Sequence, residues 1–554
     1  MGSGRGREAG RRAGPSLRTR GSGTGARSRL LRRRPPGIYR GLRPLERGEL
    51  GGGNASLATQ DEPVTSRQDP DASQTSAGAS TPAASYYAGA WGGRGPCLAV
   101  VNPADGSTVA SVATVTPVEV AEALDAASGA LQSWRHTDPW ARSQHLRTAA
   151  AYIRDHLGDI AGSITAEQGK PLAQAEGEVA AAADQFDWCA DEARRIYGRV
   201  IPARGEGRRL LVQREPVGVV GAFAPSNFPA LLPARKIAAA TAAGCTIVVK
   251  PAEETPSAAL WLAAAADAAG IPPGVVSVLV GDPAMISEMI LSDSRVRKVT
   301  LTGSVPLGRH IMEEAAKQLK SVSLELGGHS PVIVLDDADP EWAGELAAMG
   351  KFRNAGQVCI SPSRFLVPAT LHDRFVASFV QATEALALGP GDDRSCEIGP
   401  LQNERRVQAM EQMVASAVRD GSVVASGGRR IERDSGWWFE PTVLTNVGLD
   451  TEVMVSEPFG PIAPICAYED IDEAVRIAND TDFGLAGFVL GGSLQRCLDI
   501  ADRLEVGMVG INDFAIALAE APFGGIKHSG FGREGGAEGV AEFTVVKYIN
   551  IAPA

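Results

Sequence analysis

The sequence predicts an α/β protein of more than one domain, and three observations predict it. Short apolar runs alternate with Ala-rich helical segments between Val217 and Leu319, the spacing of βαβ units around a mostly parallel sheet. At 554 residues the chain is too long for one hydrophobic core, so two or three domains are expected. The composition, 44% hydrophobic and 21% charged, is that of a globular protein. No uncharged apolar run is long enough to span a membrane. The nearest, from Ala258 to Val280, is broken by Asp267 and Pro272-Pro273.

Residues 1 to about 85 stand apart. The first 50 are rich in Arg and Gly, as at Arg32-Arg33-Arg34, and Ser73 to Ser85 is rich in Ser, Thr, Ala and Pro. Neither stretch has useful apolar periodicity, so this extension is expected to be disordered. An Arg-rich, acid-poor end is compatible with a transit peptide and a mitochondrial matrix location. Gly-rich spacing spoils an amphipathic helix here, so an upstream start codon and a cytoplasmic location are the preferred reading.

From Tyr86 the chain reads as folded. A strand around Leu98 to Asn102 precedes helices over Pro117 to Trp134, Trp140 to His156 and Val179 to Tyr197, the last Ala-rich with apolar residues at helical spacing. Strands at Val217 to Ala222, Thr246 to Val249, Val275 to Val280 and Lys298 to Leu301 then alternate with helices. Those helices are Ala230 to Ala243, Ser257 to Ala269, Met285 to Leu291 and about Leu307 to Leu319. Such sheets bind ligands beyond the carboxyl ends of their strands. A second α/β set begins near Pro331, and the chain closes on a strand from Thr544 to Ile551.

Charge and cysteine usage narrow the function. The net charge is -11, and the folded part has no concentrated basic stretch, which argues against nucleic acid. Seven cysteines form no C-x-x-C pair and seven histidines no H-x-x-x-H pair, so neither a disulfide framework nor a metal site is expected. Free thiols in a reducing compartment fit best.

The segment Lys351-Phe-Arg-Asn-Ala-Gly-Gln-Val-Cys359 carries the most chemistry. A thiolate is a good nucleophile toward an aldehyde carbon, although a lone cysteine is more often an apolar filler. Ala355 and Gly356 are expected to leave room for a substrate and a flat ring. Leu324-Glu325-Leu326-Gly327-Gly328 sets a carboxylate among apolar residues, which raises its pKa toward that of a general base. Asn227, in Phe223-Ala-Pro-Ser-Asn227-Phe-Pro229, follows a strand and offers an amide to a developing oxyanion, or is simply a turn residue. Thr302-Gly303-Ser304, with Gly308 beyond, opens a helix whose free amides suit a pyrophosphate; Ser304 also suits an N-cap. Lys250 and Glu253 end a strand, where they suit ribose hydroxyls or a surface ion pair.

In this order the segments closely resemble those of the aldehyde dehydrogenase superfamily, over nearly all of residues 86–554. Glu457-Pro-Phe459-Gly-Pro and Pro522-Phe-Gly-Gly-Ile-Lys-His-Ser-Gly530 add to the resemblance. It implies Cys359 as nucleophile, Glu325 as base, and Asn227 with the Cys359 amide as oxyanion hole. It assigns Lys250 and Glu253 to the adenosine ribose, Gly303, Ser304 and Gly308 to the pyrophosphate turn, Glu457 to the nicotinamide ribose and Phe459 to the nicotinamide. Ser226 stands where the family usually has Trp, which loosens one wall of the cofactor and substrate site. The implied fold is a Rossmann-type NAD-binding domain over 86–203 and 217–326 and an α/β catalytic domain over 327–530. A small β oligomerisation extension from 204–216 and 531–554 would bridge a homodimer or homotetramer.

The resemblance also implies a reaction. An aldehyde would add to Cys359, lose hydride to the nicotinamide, and leave a thioester that water, activated by Glu325, releases as acid. Retention of Glu325 favours hydrolysis over transfer to coenzyme A. A carboxylate at Glu253 repels a 2'-phosphate, so NAD is favoured, with NADP the alternative. Arg235, eight residues after Asn227, and Arg353, six before Cys359, match arginines that grip a distal carboxylate in the succinate-semialdehyde branch. A serine of that branch is replaced by Ala517, and a second cysteine found in some members by Ser361. Oxidation of succinate semialdehyde to succinate is the first expectation. The alternatives are 2-oxoglutarate semialdehyde, a broad range of aldehydes, or a non-catalytic protein on the same fold.

Overall fold

The computed structural model describes residues 81–553. Most of the expected N-terminal extension therefore lies outside the described residues. Its end does not: Ala84 already bridges Ala113, and the strand Ser85–Tyr87 pairs with Val276–Val278. Among the described residues no helix is long and apolar enough to cross a membrane.

The first sheet has eight strands in the order Gly530–Phe531, Ser321–Glu325, Val296–Thr302, Val219–Phe223, Thr246–Lys250, Val276–Val278, Ser85–Tyr87, Ala90–Gly92. Its five central strands run parallel. The central Val219–Phe223 and Thr246–Lys250 are buried at every residue, which is why they read as continuous apolar runs rather than alternating ones. The register places Phe223 beside Lys250, Leu301 beside Phe223, and Thr302 beside Glu325. Four strand ends that carry motifs thus share one edge.

The second sheet has seven strands, ordered Val423–Ser426, Thr442–Thr445, Ile462–Tyr468, Pro362–Pro368, Ser330–Val334, Ala486–Leu490, Met508–Ile511. All pair parallel except the first two. A separate apolar cluster packs this sheet, including Phe352, Phe365, Phe375 and Phe379.

A third sheet joins Thr544–Ile551, Arg209–Pro216 and Arg199–Ile201. It takes in Arg199–Ile201, ahead of the expected 204. The stretch after 530 does more than form this sheet. Gly530–Phe531 pairs with Ser321–Glu325, and Val540 and Phe543 enter the core of the first sheet's helices.

Local differences from the sequence reading have local causes. The helix expected at Val179 to Tyr197 begins at Leu172 and stops at Ala193. A separate helix, Leu157–Gln168, precedes it and ends at Gly169, whose φ of 74° is left-handed. The strand expected from Val217 starts at Val219, because Gly218 turns the chain at φ 132°. The hairpin partner of Cys97–Val101, Thr108–Ala113, is interrupted by Ser111 and buried only at Val112, so it does not stand out as a core strand.

Candidate active site

The helix Pro340–Phe352 delivers the chain to an unusual turn: Asn354, Ala355 and Gly356 have φ of 50°, 54° and 71°. Two non-glycine residues in this region cost about 1–3 kcal/mol each, so their surroundings must hold them. Asn354 is held on several sides. Its N–H donates to Gln174 Oε1 at 2.9 Å, and its amide donates to the Asn227 carbonyl at 3.1 Å. A Cβ on Gly356 would lie 2.2 Å from the carbonyl oxygen of Gly460. Gly356 therefore serves close backbone packing against Gly460 and Pro461. Ala355 and Gly356 are buried, which corrects the expectation that they open space for substrate and ring.

Three residues on, Cys359 is half-buried on the wall of a cavity of about 300 Å³. Asn227, Glu325, Glu457 and Phe459 line the same cavity, with Gly303 and Ser304 at one side. Residues more than a hundred positions apart in the chain thus converge. Asn227 is fixed from behind: its carbonyl accepts from Lys170 Nζ at 2.7 Å, and Lys170 forms a buried ion pair with Glu178. Its own amide donates one hydrogen bond to the Gln357 carbonyl at 3.0 Å, which leaves a second N–H.

Neither carboxylate oxygen of Glu325 has a hydrogen-bond partner, although the residue is only 2% exposed. Burial, and then the charge of Glu534, hold this carboxyl well above the usual range, while Lys236 and Arg235 act the other way. Burial also pushes the Cys359 thiol up to about 12, with Glu457 and Glu325 adding to the shift and Arg235 opposing it. Cys359 therefore rests as a thiol at neutral pH, and its proton must leave before the sulfur can attack.

Glu534 and Lys236 were not singled out by the sequence, and they lie behind Glu325. Lys236 Nζ pairs with Glu534 Oε1 and donates to Thr302 Oγ1 at 2.7 Å, while Glu534 Oε2 has no hydrogen-bond partner. Their signal was charge in the wrong company. Lys236 interrupts an Ala-rich apolar helix, and Glu534 follows a glycine-rich stretch.

A second cavity, of about 640 Å³, continues from the first through Pro225, Thr302, Gly303 and Ser304, which line both. Ser226, Lys250 and Glu253 line it, and Lys250 pairs with Glu253 at 2.7 Å. The two readings of that pair coexist: it is an ion pair, and it faces the cleft. Ser304 caps the helix Val305–Ala316, its Oγ accepting from the Leu307 N–H at 3.4 Å, and so the helix's free amides open on the cleft. Gly308 lines neither cavity. A Cβ there would sit 2.6 Å from Leu326, so this glycine lets the helix lie against the chain after Ser321–Glu325 and does not face a ligand.

The two arginines take different environments. Arg235 is 2% exposed, lies over the Phe523 ring at 4.3 Å and stands 4.0 Å from Glu534. Its Nε has no hydrogen-bond partner. Arg353 is exposed, with its guanidinium 5.4 Å from the Phe228 ring centroid. Neither lines the two cavities described above.

The tunnel fits a nicotinamide dinucleotide on its own evidence. Gly303 and Ser304, at the start of a helix, line both joined cavities, and on the smaller one Glu457 Oε1 is buried without a partner. Burial raises this carboxyl to about 7, with the Gly328 N–H, Arg406 and Lys351 opposing.

Known proteins share this architecture. The sequence profile of the aldehyde dehydrogenase family matches residues 92–549. The succinate-semialdehyde dehydrogenase [NADP(+)] of Escherichia coli is 43% identical over 457 residues, 82% of this chain and 95% of that protein. The glutarate-semialdehyde dehydrogenase of Pseudomonas putida is 42% identical over 469 residues, 84% of this chain and 97% of that protein. A crystal structure of betaine aldehyde dehydrogenase from Staphylococcus aureus in complex with NAD+ superposes with a TM-score of 0.83 at 33% identity, covering 85% of this chain and 94% of the other. By sequence profile, by identity along nearly the whole folded length and by shape, the chain belongs to the aldehyde dehydrogenase family.

Proposed function

We propose that this protein oxidises a carboxylate-bearing semialdehyde to the corresponding acid with NAD(P), succinate semialdehyde being the first substrate to test. The observation that carries the reading is the convergence of the Cys359 sulfur, the unpartnered Glu325 carboxyl and the Asn227 amide on one cavity that continues into a second, larger one. The names of the relatives support the substrate class, and the glutarate-semialdehyde relative keeps the five-carbon homologue as the second reading.

In this reading Cys359 gives its proton to solvent water and its sulfur adds to the aldehyde carbon. The second N–H of Asn227 and the Cys359 amide stabilise the oxyanion, an effect of about 3 kcal/mol per donor. The bound dinucleotide supplies the hydride acceptor. As the carbonyl re-forms, the substrate carbon gives up hydride and becomes a thioester of Cys359. Glu325 then takes a proton from water, the water oxygen adds to the thioester, and the acid leaves as the thiolate returns. Lys250 and Glu253 hold the adenosine ribose, the Gly303-Ser304 amides the pyrophosphate, and Glu457 the nicotinamide ribose. The Glu253 carboxylate opposes a 2'-phosphate, which supports NAD over NADP. Arg353 and Arg235 are the proposed partners of the distal carboxylate.

We further propose a homo-oligomer built through the three-stranded sheet. The face of Thr544–Ile551 that exposes Val546 and Tyr548, at 61% and 57%, supports it.

The test is a panel of specificity constants. Succinate semialdehyde, glutarate semialdehyde, 2-oxoglutarate semialdehyde and propanal are each assayed with NAD and with NADP. Semialdehydes should exceed propanal by about tenfold or more, the worth of one charge-assisted contact. Equal constants would make the enzyme a general aldehyde oxidant. No reduced dinucleotide from any substrate in a folded sample would leave a binding protein.

A further inference from the structure

Glu325, Glu457 and Arg406 are the charged residues on the inner cavity's wall, and Arg406 has no part in the mechanism above. It lies in the first turn of the helix Glu404–Arg419, whose N-cap Asn403 accepts from the Arg406 N–H at 3.2 Å. Its side chain leaves that helix for the loop opposite. Nη2 donates to the carbonyls of both Pro458 and Phe459, the second at 2.9 Å. The guanidinium carbon lies 5.6 Å from the centroid of the Phe459 ring.

Phe459 is where this matters. It has a φ of 44°, in the left-handed region that a side chain with a Cβ rarely adopts. A phenylalanine held there needs an outside constraint. One guanidinium nitrogen that satisfies two successive carbonyls, with its cationic plane near the ring, is such a constraint. The guanidinium is permanently charged and planar, so neither its charge nor its geometry depends on pH.

We propose that Arg406 is a positioning residue for the dinucleotide. By clamping the Pro458 and Phe459 carbonyls it holds the turn that presents the Phe459 ring and the neighbouring Glu457 carboxylate to the inner end of the tunnel. This rests on the reading of that end as the nicotinamide site. Arg406 touches neither substrate nor reacting atoms in this account. Without the clamp two carbonyls lose their donor, the Phe459 backbone relaxes, and the carboxylate and ring lose their alignment together.

Two measurements test it on the full-length protein. Amide hydrogen exchange over residues 457–461, without dinucleotide, should rise at least about tenfold in Arg406→Met, a release of local opening. Calorimetric titration with NAD and with NADP should show binding weakened about tenfold or more in the same variant. The KM for dinucleotide should rise in step while the KM for semialdehyde stays within about twofold. Arg406→Lys keeps a donor within reach of one carbonyl and should fall between wild type and Met in both measurements. Unchanged exchange over 457–461, or unchanged dinucleotide affinity, would overturn the clamp. Should Arg406→Met fail to fold, Arg406→Lys decides: a wild-type exchange rate and affinity overturn it, intermediate values sustain it. If the wild-type protein binds neither dinucleotide, the cofactor reading fails, while the exchange result still says whether Arg406 holds the turn.

Discussion

Cys359 rests as a thiol, pushed up to about 12 by burial and by the carboxylates Glu457 and Glu325, so its reactivity depends on what removes that proton. Replacing it by Ala should lower aldehyde oxidation by about 10³-fold or more while leaving the unfolding midpoint near wild type. Full turnover by Cys359→Ala would remove it from the mechanism. Glu325 has the opposite task, because it must be ionised to accept a proton from water. Its carboxyl is held well above the usual range, chiefly by burial. Thioester hydrolysis should therefore rise with pH through the region where Glu325 ionises, and stay low below it. Glu325→Gln should slow steady-state turnover by about 10²–10⁴-fold and abolish this rise. A burst of reduced dinucleotide, seen by stopped-flow absorbance, should precede the slowed steady state as acyl-enzyme accumulates. Slow turnover without a burst would move Glu325 to an earlier step.

At the scale of elements, the turn from Asn354 to Gly356 sets where the sulfur sits. Gly356 combines a φ of 71° with the backbone of Gly460 at the position a Cβ would occupy. Gly356→Ala strains the backbone and pushes the two loops apart. It should destabilise the fold by about 2–4 kcal/mol and reduce kcat, as read by chemical denaturation and steady-state kinetics. Wild-type stability in that variant would mean that the two loops part readily. The same turn shows what was legible in the sequence. Gly356 was visible as a residue needed near Cys359, but its packing partner Gly460 lies about a hundred positions away and left no local mark. The parallel strands were legible because buried strands read as apolar runs, and their motif-bearing ends fell on one edge as the βαβ rule requires. Gly308 was misread because a glycine after a strand-to-helix turn has two explanations, ligand approach and helix packing, and only coordinates separate them. Glu534 and Lys236 escaped notice because their pairing spans 298 positions. Arg406 escaped because the carbonyls it holds, those of Pro458 and Phe459, lie 52 and 53 positions away.

Across the whole molecule, buried carboxyls in different parts of the fold tie stability to pH. Glu167, in the last turn of the helix Leu157–Gln168, is 2% exposed, and its oxygens accept from Ser257, one from the N–H at 3.1 Å and the other from the hydroxyl. Burial pushes it up to about 7, with the two Ser257 hydrogen bonds opposing. Glu457, on the tunnel wall, is raised to about 7 by its own burial. A carboxyl whose folded pKa lies above its unfolded value favours the folded state in its protonated form. That contribution is complete below the unfolded pKa, near 4.5, and is lost as pH rises through 7. For Glu167 the loss amounts to about 3 kcal/mol by pH 8.5, from the shift of a buried group. The unfolding midpoint should therefore fall between about pH 4.5 and pH 7 and level off above that. Glu167→Gln keeps an acceptor for Ser257 but cannot ionise, so its midpoint should fall less over that interval and exceed wild type at the alkaline end. The Glu457 contribution remains in the variant and should be answered separately, by adding dinucleotide, which shields that site and not Glu167. A Glu167→Gln protein with the wild-type pH dependence would show that the carboxyl is ionised in the folded state, stabilised by Ser257 strongly enough to cancel its burial.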